Sequence, residues 1–538
     1  MRLAALRLPE NPVFSREVRA RMRGSRAAWL LFVYLGILSF ILFIVYFSWA
    51  RSQQDDLSGG MGAAAFSIGR TFYEVLFTIQ ALLVTLITPA LTAGGVSIEK
   101  EQRTYEMLAV SLLPRRTVVV GKLAAAILFV GLLLTSSLPL VSLSFLLGGV
   151  SPGEVAASYA SLLAAACVYG AAGMAWSSIA RNTTTATVLT YATVFALFLV
   201  TLPLAIPFQS GFSSAPGALG LAALNPVGAV ALGARQEWYF GLGMPAWAPA
   251  AAVNLLLATV FAAVSLHRLE YPKTDRSLLL RALTLALCAA VFTLLGGFLR
   301  MGPSTAGPNS VGSVLGNGSF SATARHSFLC WLLAFLPCLI APIFATGEGL
   351  FPLRDSGRKR PRHPWGRWFG EPPSGVAYGV LVTAACGVIV VLTSLGASNA
   401  AFGFVGMTAA VAFGLGAVGL VFSALLQNRW TAFAATLAVV WLLCFLSWST
   451  VSGRFHSGAW KPAAVDHLVY LSPFPAALQT ADPQREDVKK LARLAGGAPV
   501  AAVAGPLYAG LGLVCLPLAL LLQRAHTRRA IRDSLQQR

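Results

Sequence analysis

Long apolar blocks without charged residues constrain this chain more than any other feature. Its 538 residues are 56% hydrophobic and only 11% charged, with a mean hydropathy of +0.71. Soluble domains carry about 25% charged residues, so a water-facing surface for a chain of this length cannot be built from so few ionic side chains. The blocks reach about 20 residues, the length that crosses a bilayer as a helix. The sequence therefore predicts an all-α fold, a polytopic membrane helix bundle.

Twelve such blocks are present, and an even number of spans puts both termini on one side. Of the 40 Lys and Arg residues, 29 fall in the segments on the side of the termini and 11 on the other side. Because Lys and Arg are enriched in cytoplasmic loops, this bias predicts cytoplasmic termini in the inner (cytoplasmic) membrane. The third block contains Pro139, which predicts a tilt or kink there. The predicted spans are 28–49, 72–93, 119–148, 157–180, 185–208, 248–267, 278–299, 327–346, 376–396, 402–426, 430–450 and 500–523.

Short segments recur in the two halves of the chain in the same order and at offsets of 246 to 253 residues. They are LITP at 86–89 and LIAP at 339–342, SSIARNTTT at 177–185 and SALLQNRWT at 423–431, and LNPV at 224–227 and LSPF at 471–474. The order predicts a six-plus-six duplication with parallel repeats.

The predicted organisation follows from the spans and the repeats. It comprises a cytoplasmic interfacial helix at 1–27, a first six-span half at 28–270, spans seven and eight at 271–346, a basic cytoplasmic loop at 347–375, spans nine to twelve at 376–526, and a basic cytoplasmic tail at 527–538.

The net charge of +20 raises the question of nucleic-acid binding, but the basic residues lie between apolar spans and form no soluble patch for a phosphate backbone. The seven cysteines all fall in predicted spans without a CxxC pair, and the six histidines are scattered. No phosphate-binding G-x-x-x-x-G-K-[ST] motif is present. We expect no catalytic residue, metal site, cofactor or ATPase activity in this chain, and no nucleic-acid partner.

The N-terminal segment predicts an amphipathic helix at the bilayer interface. At 100° per residue, three apolar residues share one face and four arginines lie roughly opposite, with Arg21 as an exception. The arginines of such a helix face anionic headgroups. The alternative is an ordinary basic flank of the first span. The residues concerned are Phe14, Val18 and Met22 on the apolar face, and Arg16, Arg19, Arg23 and Arg26 on the basic face.

The segment after span two predicts a short charged helix over 97–113. Ser97 can cap its start, and Glu99 and Glu101 suit the positive end of its dipole. Tyr105, Leu108 and Leu112 then form an apolar stripe before Pro114. We expect such a short charged helix to pack against another protein surface. The alternative is a solvated linker helix.

The chain resembles the permease subunits of ABC-2 type ABC transporters. The features that match are the start NPVFSREVRARMRG, the segment TAGGVSIEKEQRTYEMLAVSLLPRRTVVVGK after span two, LGGVS at 147–151 and the Leu-Asn-Pro loop before span six. The most specific feature is the E-x-E-x-R-T-x-x-x-L core, and the likeness covers about residues 1–270.

The resemblance implies a fold and a role. Six spans would form one permease half, and the region after span two would contact a separate ABC ATP-binding subunit whose closure rearranges the spans. The lipid bilayer and a homodimeric or second permease partner are further expectations. The implied ATPase-coupling residues are Glu99, Glu101, Arg103, Thr104, Tyr105, Leu108 and Leu112.

The second half departs from this pattern, because its loop 347–375 is rich in proline and has no E-x-E-x-R-T core. Three alternatives stay open: a membrane scaffold that recruits a cytoplasmic partner through basic loops, an ion-coupled secondary carrier, and a membrane enzyme. The carrier is disfavoured because the predicted spans show no carboxylate near the midplane. The sequence indicates neither the substrate nor the direction of transport.

Overall fold

A computed structural model of the chain divides it into two compact units, residues 1–287 and 288–538, which are described separately. The described residues are about 92% helical, so the prediction of an all-α membrane bundle is confirmed. The structure describes residues 11–23, 25–55, 61–104, 114–148, 150–205, 224–228, 236–239, 242–245, 247–269, 277–299, 330, 332–338, 374–395, 399–426, 429–446, 472–481 and 500–536.

The first unit, unit 1, consists of helices and one antiparallel hairpin of two short strands. The helices are α1 (Pro12–Met22), α2 (Ser25–Asp55), α3 (Met61–Thr92), α4 (Ser97–Glu101), α5 (Arg115–Ser136), α6 (Leu138–Leu147), α7 (Pro152–Ile179), α8 (Thr183–Ala205), α9 (Trp247–Leu269) and the first half of α10 (Ser277–Leu299), and the strands are β1 (Gln236–Tyr239) and β2 (Leu242–Pro245).

Helix α7 forms the centre of unit 1, because it packs against α3, α5, α8 and α9 and is the most buried of the candidate membrane spans. Its sequence is rich in Ala, Gly and Ser on every side, which lets neighbouring helices approach closely. Its start is fixed by a capping box in which Ser151 and Glu154 bond each other's backbone N–H groups.

The third predicted span is broken between α5 and α6. Ser137 separates the two helices, and Pro139 is the second residue of α6. Proline has no N–H to donate to the carbonyl four residues earlier, and its ring collides with that carbonyl, so a straight helix cannot run through this point. The predicted kink near Pro139 is therefore confirmed.

The second unit, unit 2, contains the rest of α10, a helical stretch at 332–338, and further helices whose bounds the structure gives. They are α11 (Ser374–Val390), which continues as a π-helical turn (Val391–Leu395), α12 (Asn399–Leu425), α13 (Arg429–Val440), with a π-helical turn (Trp441–Leu446), α14 (Phe474–Ala481) and α15 (Val500–Gln536). Helix α12 is central to this unit and packs against α11, α13 and α15.

Eight described helices are long and apolar enough to cross a membrane, which supports a multi-pass membrane protein. Three shorter apolar helices, Thr183–Phe198, Leu279–Thr293 and Thr431–Cys444, lie where spans five, seven and eleven are predicted. Most of the predicted eighth span, 327–346, lies outside the described residues, as does the basic loop up to residue 373.

Close contact between α3 and α7 depends on Gly173, since a Cβ built there would overlap Thr92 Oγ1 and lie 2.9 Å from Thr92 Cβ. We predict that Gly173→Ala lowers the stability of the protein in detergent by about 1–3 kcal/mol, as overpacking does. A thermal unfolding scan followed by size-exclusion chromatography measures the change. Gly131→Ala is the matched control, because its Cβ would meet nothing closer than 3.9 Å. Equal unfolding temperatures for the two variants would contradict the packing described here.

Candidate functional site

Helix α1 is attached to the start of α5 through its N-cap residue, Asn11. The Asn11 Oδ1 atom accepts bonds from the Val13 and Phe14 N–H groups, and Asn11 Nδ2 donates to the Thr117 carbonyl at 2.9 Å. The absence of a side chain at Gly121 permits this approach, since a Cβ there would lie 2.9 Å from Asn11 Nδ2. A helix is thus present within the predicted segment 1–27, but it covers only Pro12–Met22, since α2 begins at Ser25 and residues 1–10 lie outside the described part of the chain.

Three of the four arginines predicted for the polar face of the N-terminal helix are exposed, whereas the fourth, Arg26, belongs to α2 and its side chain lies outside the described residues. Of the apolar face, two residues are half-buried against unit 1, and Met22 remains 46% exposed. The exposed arginines are Arg16, Arg19 and Arg23, and the half-buried apolar residues are Phe14 and Val18. Nothing in the structure tests a position at the bilayer interface, which stays a prediction.

Arg21, the exception to the predicted pattern, is turned toward the protein. Its Nη2 donates to the Leu91 carbonyl in the last turn of α3 at 3.0 Å, and its Nε lies 3.8 Å from Glu17 Oε2. Burial lowers the pKa of the Arg21 guanidinium, and the Glu17 carboxylate partly offsets this effect. A cation at a helix C-terminus stabilises the unpaired carbonyls there, so Arg21 belongs to the packed face of α1.

Helix α4 begins differently from the prediction. Ser97 is its first residue and does not cap it, since Ser97 Oγ donates to the Ala93 carbonyl. The cap comes from α7, where Ser177 Oγ accepts the Val96 and Ser97 N–H groups at 2.8 and 2.9 Å. The orphan donors at the start of a helix are therefore satisfied from another span.

Lys122, in the second turn of α5, forms a buried ionic cluster with two glutamates. Its ammonium group donates to Glu99 Oε1 at 2.7 Å and to the Gly95 carbonyl at 2.8 Å, and lies 3.1 Å from Glu17 Oε1 in a salt bridge. Two carboxylates and a carbonyl thus surround the charge of a lysine that is only 6% exposed. We call Glu17, Gly95, Glu99 and Lys122 the Lys122 cluster; it joins α1, α4 and α5.

Lys100 and Glu101, the two residues of α4 that follow Glu99, contact the turn between α7 and α8. The Lys100 ammonium donates to three carbonyls at the end of α7, those of Ser177, Ser178 and Ala180, at 3.2, 2.6 and 3.0 Å. Glu101 accepts the Thr183 N–H and hydroxyl, each at 2.7 Å, at the start of α8. A cation thus meets the negative end of one helix dipole and an anion the positive end of the next.

Helix α4 ends at Glu101, which corrects the prediction of one helix over 97–113. Arg103 adopts the left-handed conformation with φ of 57°. The Arg103 N–H bonds the Lys100 carbonyl and the Thr104 N–H bonds the Glu99 carbonyl, the pattern of a Schellman motif. Such a motif usually has glycine at this position, so the pattern of helix-favouring residues hid the stop. Tyr105, Leu108 and Leu112 lie outside the described residues.

At this end of unit 1, charged side chains bind the ends of four spans. Arg115 Nη1 donates to the Leu269 carbonyl, the last residue of α9, at 2.7 Å. Together with the contacts of Arg21, Lys100 and Glu101, this gives α3, α7 and α9 a cation at their C-termini and α8 an anion at its N-terminus. We call this region the α1 end of unit 1; its contacts are suited to holding helices in position.

The sequence predicted Glu99, Glu101, Arg103 and Thr104 as site residues; in the structure Glu99 bonds α5, Glu101 bonds the start of α8, and Arg103 and Thr104 form the turn that ends α4. Their role in coupling to an ATPase stays a prediction. The structure also adds residues that the sequence analysis did not select. The added residues are Glu17, Lys100, Arg115, Lys122 and Ser177. A lysine within the first turns of an apolar span, such as Lys122, was the one available signal, because it needs a buried carboxylate partner.

A second ionic group joins α3 and the start of α7. Arg70 Nε lies 2.8 Å from Glu74 Oε1, and Arg70 Nη1 lies 3.2 Å from Glu154 Oε1. Glu74, near the start of predicted span two, is therefore paired with a cation.

No protein-family model and no curated protein matches this sequence.

We predict that Lys122→Met destabilises the protein by about 2–3 kcal/mol. Removing one member of a fully buried ion pair costs about 3–5 kcal/mol, and here the carboxylates of Glu17 and Glu99 keep about a quarter of their exposure. The unfolding temperature in detergent measures the change. Lys122→Met combined with Glu99→Gln should recover part of the loss, because one unpaired charge is removed as well. Additive losses in the double variant would contradict the pairing.

Replacement of Arg103 tests the left-handed turn that ends α4. We predict that Arg103→Gly has the highest unfolding temperature, the wild type an intermediate one and Arg103→Val the lowest. Glycine has no Cβ to clash at positive φ, whereas a β-branched side chain clashes most. The gain for glycine is at most about 1 kcal/mol, since its unfolded chain has more freedom. A glycine variant less stable than the valine variant would rule out the turn.

Proposed function

We propose that this chain is the transmembrane permease subunit of an ATP-driven ABC-2 type transporter. A separate ATP-binding subunit would supply the energy, and an unknown substrate would cross the cytoplasmic membrane. Of the residues that carry the resemblance to this class, Glu99 and Glu101 bond α4 to α5 and to the start of α8, and Arg103 and Thr104 form the turn that ends α4. This coincidence is the main support for the proposal.

The geometry of α4 suits transmission of force from a cytoplasmic partner. A linker that hung free would absorb a push by bending, whereas α4 is bonded to α5 through Glu99 and to the α7–α8 turn through Lys100 and Glu101. The segment that follows, 105–113, is where the resemblance puts much of the contact with the ATP-binding subunit. In this proposal, α4 is the point at which that contact reaches the bundle.

We further propose twelve spans in two parallel six-span repeats, with both termini cytoplasmic. Two features support the duplication. Asn225 and Ser472 are both fully buried before a proline, and each accepts the backbone N–H two residues on, from Val227 at 2.9 Å and Phe474 at 3.3 Å.

The second feature is a pair of close helix contacts whose residues are offset by 246 and 253 positions, within the range of the repeated segments. A Cβ built at Gly170 in α7 would lie 3.0 Å from a side-chain atom of Leu123, in predicted span three. A Cβ at Gly416 in α12 would lie 3.2 Å from a side-chain atom of Val376, in predicted span nine. The fourth span of each proposed repeat thus packs against its third in the same way.

The described carboxylates fit an ion-coupled carrier poorly. Glu74 and Glu154 share Arg70 near the helix start of α7, and Glu99 and Glu101 belong to α4. Proton- and sodium-coupled carriers use carboxylates within the spans. Exposed arginines of α1 would serve equally well for a scaffold that recruits a partner, so the test must separate recruitment from transport.

We predict that an ATP-binding protein co-purifies with the affinity-tagged chain from membranes of its native host, and that its ATPase activity in nanodiscs is raised by this chain. Leu108→Asp should abolish the stimulation, because a charge would enter the apolar stripe that the resemblance assigns to the partner. Gln102→Asp is the control, since Gln102 is exposed and the same charge is added.

Three outcomes decide between the classes. Stimulation lost only in Leu108→Asp supports the permease. The scaffold is favoured if the bound partner has no ATPase activity, or if neither the wild type nor any variant raises the ATPase activity of the partner. Ion-dependent uptake in vesicles that contain no ATP-binding protein would overturn the proposal in favour of a carrier.

A further inference from the structure

Three consecutive residues of α4 bind three different parts of unit 1. Side chains on a helix point about 100° apart from one residue to the next, so Glu99 faces Lys122 of α5, Lys100 faces the end of α7 and Glu101 faces the start of α8. We call Glu99, Lys100 and Glu101 the EKE segment. Each of its charges is opposite in sign to the charge or partial charge of the group that it bonds.

The bonds of α4 are distributed unequally among these partners. Residues 95–101 share seven hydrogen bonds with α7, the turn after it and the start of α8. The same residues share two hydrogen bonds with Lys122 of α5. Among the described contacts, α4 is therefore fixed chiefly to the α7–α8 turn.

The α7–α8 turn is short and is held on both sides. Only residues 180–182 separate the last residue of α7 from Thr183, the first of α8. Lys100 uses all three of its donors on the carbonyls of the first helix, and Glu101 uses both oxygens on the second. Charge-assisted bonds of this kind are stronger than neutral ones, so the turn follows α4 as one piece.

We propose that the EKE segment makes α7 and α8, predicted spans four and five, the spans that move with α4 when a cytoplasmic partner displaces it. This inference rests on the proposed function for the identity of the partner, an ATP-binding subunit. The mechanical link between α4 and the α7–α8 turn stands without it. Lys100 and Glu101 are positioning residues in this account, because they act through the helix ends that they hold.

The first experiment needs no partner. Hydrogen–deuterium exchange of the purified chain in nanodiscs is compared for wild type, Lys100→Met and Ser177→Ala. Lys100→Met removes bonds at the end of α7 only, yet we expect roughly ten-fold faster exchange at the Thr183 amide as well, since the turn is released from α4. Ser177→Ala should likewise speed exchange at the other end of α4, at residues 100–104.

Two controls keep the result specific. Lys100→Arg retains a cation that can donate to the same carbonyls, so it should exchange like the wild type. Arg116→Gln removes an exposed cation two residues after Pro114 and should also leave both segments unchanged. If each variant changes exchange only at the groups that lost a bond, the α4–turn coupling is wrong.

The second experiment uses the complex with the co-purified ATP-binding protein. Nitroxides on p-acetylphenylalanine at Ala28 and Thr184, both exposed, report the distance between α2 and the start of α8 by pulsed electron paramagnetic resonance. We expect a non-hydrolysable ATP analogue to shift this distance in the wild type and to lose at least half of the shift in Lys100→Met with Glu101→Gln. An undiminished shift would overturn the inference.

The two experiments fail in different ways. If the exchange results hold and no ATP-binding protein binds, the proposed function is wrong and the link between α4 and the turn remains. If an ATP-binding protein binds and is stimulated but exchange stays local, the proposed function remains and the assignment of α7 and α8 is wrong.

Discussion

The structure of unit 1 depends on how the ends of its spans are neutralised. Each helix end leaves several unpaired backbone groups with a partial charge, and bringing α3, α7 and α9 together collects three sets of such carbonyls. Arg21, Lys100 and Arg115 each donate to one of these sets, at 2.6 to 3.2 Å. The basic residues that bias the loops of this chain to one side therefore include caps that hold the bundle together at the α1 end.

The Lys122 cluster extends this principle from backbone to side chains. A lysine inside an apolar span is costly unless its charge is paired, and Lys122 has both of its carboxylate partners only if α1 and α4 are in place. Folding of the two short helices and of α5 is thus interdependent. This interdependence explains why charged residues of such different sequence position, Glu17 and Glu99, belong to one site.

Among the described residues, eight helices of spanning length lie where eight of the twelve spans were predicted, because the length and apolar character of a span are set by the bilayer, not by any partner in the chain. The count of twelve stays a prediction. The sequence also predicted the break near Pro139, since a proline acts locally. Contacts between distant residues were out of reach: Ser177 caps α4 from 80 positions away. The predicted helix over 97–113 was wrong because Arg103 adopts positive φ. Non-glycine residues seldom adopt this conformation, so an arginine in a sequence gives no sign of it.

The motif after span two has two compatible physical interpretations. Glu99 and Glu101 stabilise unit 1, and the same bonds make α4 a stiff connection to the spans. Stability alone would be served by α4 on either side of the membrane, whereas transmission from an ATP-binding subunit requires the cytoplasmic side. The side on which α4 lies is therefore what the functional account depends on most.

Side-specific labelling of Gln102→Cys tests this point most directly. Gln102 is exposed at the end of α4, while the seven native cysteines are buried or half-buried; the unsubstituted chain gives their background. If α4 lies on the cytoplasmic side, a membrane-impermeant maleimide labels Gln102→Cys in inside-out vesicles and not in intact cells. Labelling from the outside of intact cells would contradict this position, since no ATP-binding subunit could then reach α4.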